Sequence, residues 1–284
     1  MSEDLIRALP VWKGPIEVEP LGGGLTNLNY LVTEAGRRFA VRAGVDDPVL
    51  GISRRNEAAC VHAAADLGIA PEVVYQSQGV MVCEFLDATP LSPELLADHD
   101  RIRRVAELLR RVHSAGPEVS GHLQYFSPFQ VARTYMSTAR DAGLPLPCDE
   151  AALAAEVADL ERRISPFQPT FCHNDLMPAN LLDAGDRVWL IDWEYAGIGH
   201  RLFDLAGLSS NGEFSPEQDA SLLAGYGLDG DGDAAAQFRV MRAMAPLREW
   251  LWAVIQRDQA KIDFDYDQYR DDNYRRYRAA LASV

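Results

Sequence analysis

Two short stretches decide the fold of this chain, residues 171–182 (FCHNDLMPANLL) and residues 188–195 (VWLIDWEY). In the first, Asp175 follows His173 by two positions and precedes Asn180 by five. This is the His-x-Asp-x4-Asn spacing of a protein-kinase catalytic loop. The second is an apolar run that ends in an aspartate, like the strand that carries the metal-binding aspartate of such folds. A lone loop aspartate is usually a turn residue or a helix cap, but here both pieces occur in order and each adjoins an apolar run.

Phosphoryl transfer asks a protein mainly to position the transferred group and to neutralise its charge. The reaction needs one carboxylate beside the acceptor hydroxyl, and an amide oxygen with a second carboxylate on the metal ion. The sequence predicts that Asp175 is the first carboxylate and that Asn180 and Asp192 hold Mg²⁺. His173 completes the predicted catalytic set, and we expect it to brace the loop by hydrogen bonding rather than to transfer protons.

A nucleotide site is expected earlier in the chain, at residues 21–27 (LGGGLTN), between two predicted strands. Gly23 and Gly24 would let the backbone approach phosphates, and Thr26 and Asn27 could donate hydrogen bonds to their oxygens. A glycine cluster alone is more often a simple turn. This one is not a Walker A loop, because no Gly-Lys-Ser/Thr follows it.

The phosphate-facing cation can be assigned by counting. The chain has two lysines, Lys13 and Lys261, and neither lies on the predicted third strand. Arg42 is therefore the candidate, and Glu57 on the following helix can pair with it and fix its orientation. The alternative is an ordinary surface ion pair, which contributes little to stability.

Periodicity divides the chain into a strand-rich start and a helical remainder. Alternating apolar residues predict strands at 28–32 and 39–42, and the apolar run 80–83 predicts a buried strand. Residues 54–67 between them predict a helix, and we place the boundary between two lobes at 84–90. Helices are also predicted at 129–142, 150–164, 216–224, 234–261 and 266–281.

Composition limits the partners. A net charge of −15 argues against nucleic acid or an anionic membrane, both of which select basic surfaces. The charge would suit a cationic substrate, although solubility alone also explains it. The four cysteines form no CxxC pair, the start is not that of a signal peptide, and no apolar run reaches the length of a membrane span, so a cytoplasmic protein is expected. The oligomeric state stays open, a homodimer included.

These motifs together resemble the choline/ethanolamine kinase family, within the wider group that contains the aminoglycoside phosphotransferases. The similarity spans roughly residues 20 to 280. Besides the catalytic loop and Arg42, it rests on GGGLTN (22–27), IDWEYAG (191–197), RLFDL (201–205), WAVIQ (252–256) and FDYDQY (264–269).

The resemblance implies an α+β, two-lobed protein-kinase-like fold. Residues 1–86 would form a small, strand-rich nucleotide-binding lobe, and residues 87–284 a larger, mainly helical lobe for catalysis and substrate binding. It also implies that the adenine of ATP binds at the connector, at Glu84 and Leu86. Two Mg²⁺ ions would be held by the asparagine and aspartate named above, and Asp175 would orient and deprotonate the acceptor hydroxyl.

The family match further implies that a substrate cation sits among Tyr195, Trp252 and Tyr266, with the carboxylates of Glu194 and Glu213 nearby. A quaternary ammonium has no hydrogen to donate, so aromatic faces are the usual way to hold it. The competing interpretation is that aromatic residues at helical spacing build core.

Three departures leave the substrate open. Glu249 stands where the family often has a pocket tryptophan, Asn211 stands where members can carry an acid, with Glu213 two residues on, and Met177 replaces a polar loop residue. Choline, ethanolamine, thiamine and other amino alcohols are therefore candidates. The alternatives are a kinase of an aminoglycoside or another metabolite, or a pseudokinase that only binds nucleotide. A protein kinase is disfavoured, because no activation segment ending in Ala-Pro-Glu follows.

Overall fold

The computed structural model describes residues 3–22, 27–116, 118–259 and 264–284, apart from the side chains of 258 and 259. The first lobe is built on an antiparallel sheet with strand order β1-β2-β3-β5-β4. A short helix precedes the sheet, and a longer one connects β3 to β4. These elements are α1 (Glu3–Arg7), β1 (Ile16–Leu21), β2 (Leu28–Glu34), β3 (Arg37–Ala43), α2 (Arg54–Asp66), β4 (Val73–Ser77) and β5 (Val80–Glu84).

The side chains of β3 alternate between the two faces of the sheet, as the sequence predicts. Phe39 and Val41 of β3 point inward and bury a small core with Val32 and Val82 from the neighbouring strands. Helix α2 begins where the Ser53 hydroxyl accepts a hydrogen bond from a backbone N–H of the first turn, as an N-cap should. It ends one residue before the predicted bound, so the helix prediction for 54–67 is confirmed.

The second lobe is mainly helical. Its helices are α3 (His99–Ser114), α4 (Pro128–Asp141), α5 (Glu150–Arg162), α6 (Arg201–Asn211), α7 (Pro216–Tyr226), α8 (Gly232–Gln259) and α9 (Tyr266–Leu281), with short 3₁₀ turns at Leu95–Ala97 and Pro178–Asn180. Its short strands are β6 (Thr89–Pro90), β7 (Thr170–Cys172), β8 (Leu181–Asp183), β9 (Val188–Leu190) and β10 (Gly197–Gly199). None of the helices in the described ranges combines the length and apolar character that crossing a membrane requires.

The long helix α8 lies at the centre of this lobe and packs against α4, α6 and α9. The helices predicted at 129–142, 150–164, 216–224 and 266–281 are confirmed within about two residues at each end. The helix predicted at 234–261 is confirmed from Gly232 to Gln259, and its predicted end at 261 lies outside the described residues. Helix α6 was not predicted. Every residue from Leu202 to Ser210 is buried, so α6 lacks the one-sided apolar stripe that marks an amphipathic helix.

Two small sheets position the site. Strand β7 pairs with β10 and leads into the catalytic loop, while β8 pairs with β9, which leads to Asp192, the predicted metal-binding aspartate. Asn180 precedes β8 and Asp192 follows β9, so these two predicted site residues lie at the same end of the strand pair. There the N–H of Ile191 donates to the carbonyl of Asn180 at 3.0 Å.

Candidate active site

Asp204 on α6 holds the backbone of the catalytic loop in place. Its two carboxylate oxygens accept hydrogen bonds from the backbone N–H groups of His173 (2.8 Å) and Asn174 (2.7 Å). Asn174 has a φ of 63°, a left-handed conformation that an asparagine tolerates better than most residues. The amide nitrogen of Asn180 donates to the carbonyl of Asp175 at 3.1 Å. These contacts fix the turn on which the predicted catalytic residues stand.

His173 is completely buried beneath the loop. Its ring Nε2 lies 2.9 Å from the carbonyl oxygen of Ile191, and the ring packs edge-on against Trp193 at 5.0 Å. Nε2 donates to that carbonyl, which can only accept, and Nδ1 accepts from the N–H of Asp175, so the ring is used in its neutral form; burial favours that form by lowering the pKa of His173. This geometry supports the bracing role expected for His173.

Asp192 follows β9 in a left-handed conformation, with a φ of 66°. Its oxygen Oδ1 is buried and has no hydrogen-bond partner among the described residues. Burial, together with the nearby carboxylates of Glu194 and Asp175, raises the pKa of Asp192 well above its ordinary value. A buried carboxylate oxygen without a partner and the amide oxygen of Asn180, whose backbone contacts the residue before Asp192, are the kind of ligands that Mg²⁺ prefers, so these residues fit the metal site that the sequence predicts.

On the nucleotide side, Arg42 of β3 pairs with Glu57 of α2 at 2.5 Å. The Glu57 side chain is only 1% exposed, so this is a buried pair and not an ordinary surface one. Burial raises the pKa of Glu57, while Arg42 and Arg54 act in the opposite direction. The pair holds the guanidinium of Arg42 in a fixed position.

Arg54, which belongs to none of the sequence motifs, joins the two lobes. Its Nη1 lies 2.8 Å from Glu57 and 3.0 Å from Glu194, and its Nη2 donates to the side-chain oxygen of Asn27 at 2.7 Å. Asn27 in turn donates to Glu194 at 2.9 Å. One signal was available, because Arg54 precedes Glu57 by three residues on a helix and must lie on the same face.

This contact changes the expectation for Glu194. The sequence predicts its carboxylate near a substrate cation, but it lies buried against the guanidinium of Arg54 and the amide of Asn27. Gly23, Gly24 and Thr26 of the glycine-rich segment lie outside the described residues. Their assignment to nucleotide phosphates stays a prediction.

The connector after β5 carries the predicted adenine contacts, Glu84 and Leu86. The Glu84 carboxylate faces outward and pairs with Arg37 at 3.1 Å, while the carbonyl of Leu86 accepts from the N–H of Ala88. A contact of Glu84 with adenine would therefore come from its backbone. Adenine binding here stays a prediction.

On the acceptor side, the predicted base Asp175 lies against an arginine that the sequence analysis missed. Nη1 of Arg248, on α8, donates to Oδ1 of Asp175 at 2.7 Å and also pairs with Glu249. The same guanidinium stacks over the Tyr195 ring, 4.2 Å from its centroid. Burial raises the pKa of Asp175 to about 6, although Arg248 lowers it. No local motif could have revealed this pair, since 73 residues separate its members.

The aromatic residues predicted to bind a cation are brought together in part. Trp252 and Tyr266 are buried with their ring centroids 6.1 Å apart, and Tyr269, which the sequence analysis did not assign, lies 6.1 Å from Trp252. The hydroxyl of Tyr269 donates to Glu249 at 2.9 Å. This contact connects the aromatic cluster, through Glu249 and Arg248, to the catalytic loop.

The remaining acidic residue, Glu213, lies elsewhere. Its side chain is 61% exposed and pairs with Arg276 on the surface. Asn211, which stands in place of a family acid, donates to the carbonyl of Leu176 at 3.0 Å and so supports the catalytic loop. Glu249, rather than Glu213, therefore contacts the aromatic cluster.

Comparison with known proteins shows which family this architecture resembles. The model of the phosphotransferase enzyme family (APH) matches residues 17–250. Protein LicA of Haemophilus influenzae is 30% identical over 209 residues, which are 72% of this chain and 61% of that protein. Ethanolamine kinase 2 of Mus musculus is 26% identical over 306 residues, covering 96% of this chain and 79% of that protein. The chain thus spans somewhat under two thirds of the length of the first relative and more of the second.

Solved structures agree with the resemblance to choline/ethanolamine kinases. A choline/ethanolamine kinase family protein from Mesorhizobium loti superposes with a TM-score of 0.82 and is 29% identical, covering 99% of this chain and 95% of that one. Choline kinase LicA from Streptococcus pneumoniae has a TM-score of 0.78 at 24% identity, covering 94% of each chain. The predicted two-lobed kinase-like fold is confirmed. The chain belongs to the phosphotransferase enzyme family.

Proposed function

We propose that this kinase transfers the γ-phosphate of ATP to the hydroxyl of choline or a related amino alcohol such as ethanolamine. One observation carries the proposal: an aromatic cluster of buried Trp252 and Tyr266 and half-buried Tyr269 is linked by Glu249 and Arg248 to the predicted base. Aromatic faces and a carboxylate are the groups that hold a small organic cation. The relatives named choline kinase and ethanolamine kinase support the same substrate class.

In this proposal Asp175 accepts the proton of the acceptor hydroxyl. Its raised pKa of about 6 makes it a stronger base than an ordinary aspartate, yet leaves it ionised at neutral pH. Asn180 and Asp192 would hold Mg²⁺, which neutralises charge on the transferred phosphate. Arg42, fixed by Glu57, would contact the phosphates of the nucleotide from the opposite lobe.

The binding-only alternative requires no functional catalytic loop. Asp175, Asn180 and Asp192 are all present, and the described structure supports the loop with backbone contacts on each side. A module that only bound nucleotide would have no use for a base beside an aromatic cluster. An enzyme is therefore the better interpretation.

The test is ADP release by the purified protein with ATP and Mg²⁺ against a panel of choline, ethanolamine, thiamine and aminoglycosides. We expect release that depends on choline or ethanolamine. Release that responds only to thiamine or to an aminoglycoside would replace the proposed substrate, and release with no acceptor dependence would leave the proposal without support.

A further inference from the structure

Arg248 has an unusual environment for a charged residue. It lies within α8, is only 2% exposed, and carries its charge between the carboxylates of Asp175 and Glu249. Both contacts use the same nitrogen, Nη1. The guanidinium carbon lies over the ring of Tyr195. Three neighbours therefore fix where this cation sits.

The other donors of Arg248 are unused. Nε and Nη2 are buried and have no hydrogen-bond partner among the described residues. A buried guanidinium with unpaired donors is costly, because water that would have bonded to them has been removed. Stacking on Tyr195 does not provide acceptors for these donors. They lie along one edge of a planar group, and such an edge matches two oxygens of a phosphate or carboxylate.

The reaction proposed for the site identifies the group whose oxygens this edge would bind. Asp175, held by Nη1 at 2.7 Å, is the predicted base for the acceptor hydroxyl. In the transfer, a bond forms between the acceptor oxygen and the γ-phosphorus, the bond from that phosphorus to the β–γ bridging oxygen breaks, and the hydroxyl proton moves to Asp175. The phosphoryl group thus joins the oxygen that Asp175 contacts. No other group that the reaction brings to this position carries several negatively charged oxygens.

We propose that Arg248 is a catalytic residue: its Nε–Nη2 edge binds oxygens of the phosphoryl group in transfer, while Nη1 holds Asp175 in position. This rests on the proposed function only in taking Asp175 as the base, and it does not depend on which alcohol is the acceptor. A guanidinium at this position neutralises charge that develops on the equatorial oxygens, as arginines do in other phosphoryl transfers. Glu249 then has a second role, because it balances the arginine when no phosphoryl group is present.

Two variants separate this role from simple support of Asp175. Arg248→Lys keeps a charge that can pair with Asp175 but loses the two-nitrogen edge, and Arg248→Met loses both. Arg242→Met is the matched control, since Arg242 also lies on α8 and pairs with a carboxylate, Asp219 at 3.4 Å, away from the catalytic loop. Melting temperatures of all variants identify any that fold poorly, and the lysine variant then carries the test.

The first measurement is the affinity for MgADP by calorimetry, with and without aluminium fluoride, an anion that imitates the transferring phosphoryl group. We expect fluoride to tighten MgADP binding in the parent protein and in Arg242→Met. Arg248→Lys should lose ~10-fold of this gain and Arg248→Met all of it, while the affinity for MgADP alone stays unchanged. The absence of a fluoride effect in the parent, or an undiminished effect in Arg248→Lys, would overturn the proposal.

The second measurement is turnover with whichever acceptor the parent uses. Arg248→Lys should lower kcat by ~10²-fold, the scale of one lost transition-state donor, and leave KM for ATP within about twofold. A lysine variant with parental kcat would show that Arg248 only supports Asp175. If the parent phosphorylates no amino alcohol but shows the fluoride pattern, the acceptor assignment fails and the role of Arg248 stands.

Discussion

Two buried charge networks flank the candidate site, and they differ in how complete they are. On the nucleotide side, Arg42 and Arg54 face the carboxylates of Glu57 and Glu194, with each charge paired. On the acceptor side, Arg248 alone faces Asp175 and Glu249 and retains buried donors without partners among the described residues. The first network, in which each charge is paired, therefore stabilises the contact between the lobes. The second keeps binding capacity for a group that arrives with the reaction.

The largest effect should come from disrupting the network on the nucleotide side, which contains Arg54. Arg54→Met leaves Glu57 and Glu194 with fewer cationic partners in a buried position, so the free energy of unfolding should fall by about 3–5 kcal/mol. Denaturant titration measures this loss. Arg103→Met, which removes an exposed pair with Asp100 on α3, is the control and should cost under about 1 kcal/mol. Equal losses in the two variants would show that the Arg54 network is not a support.

The next effect concerns the base. Asp175→Asn should lower kcat by ~10²-fold or more, because a general base is lost, while ATP affinity stays nearly intact. Steady-state kinetics and nucleotide titration measure the two quantities. Normal turnover in this variant would refute the assignment of the catalytic loop.

The aromatic cluster should respond more moderately. Trp252→Ala should raise KM for choline by roughly five- to thirtyfold and leave KM for ATP unchanged, since a desolvated cation–π contact contributes ~1–2 kcal/mol. Trp252→Phe should recover much of the loss, because a ring face remains. If both variants instead lose melting temperature and impair both substrates in parallel, Trp252 is core and not a substrate contact.

The pH profile follows from the burial of Asp175. A base must be ionised to accept a proton, and the pKa of Asp175 is raised to about 6, so kcat/KM should fall as the pH drops through about 6. One unit below that value the loss should be about tenfold. Rates at constant ionic strength between pH 5 and 8 test this. A profile that stays flat down to pH 5 contradicts the acid–base role.

The smallest effect is expected at Glu213. Its carboxylate is exposed and pairs only with Arg276 at the surface, so Glu213→Gln should change KM for choline by less than about twofold. Kinetics with choline measure this directly. A tenfold rise in KM for choline would indicate that Glu213 lies in the substrate site, as the sequence predicts.

The sequence predicted best what is local. Asp175, Asn180 and Asp192 stand in two compact motifs whose spacing already specifies their arrangement. Arg248 and Tyr269 were missed because they reach the site from α8 and α9, and only tertiary packing brings these helices to the catalytic loop. Glu194 lies two residues from Asp192, but sequence proximity cannot tell toward which lobe a side chain turns.

The most direct test of the central claim is ³¹P NMR of the reaction mixture with ATP, Mg²⁺ and one amino alcohol at a time. The account predicts a new phosphomonoester resonance with choline or ethanolamine, growing as the γ-phosphate resonance of ATP declines, and growing ~10²-fold or more slowly with Asp175→Asn. Decline of ATP with inorganic phosphate as the only product, or no change with either alcohol, would contradict it.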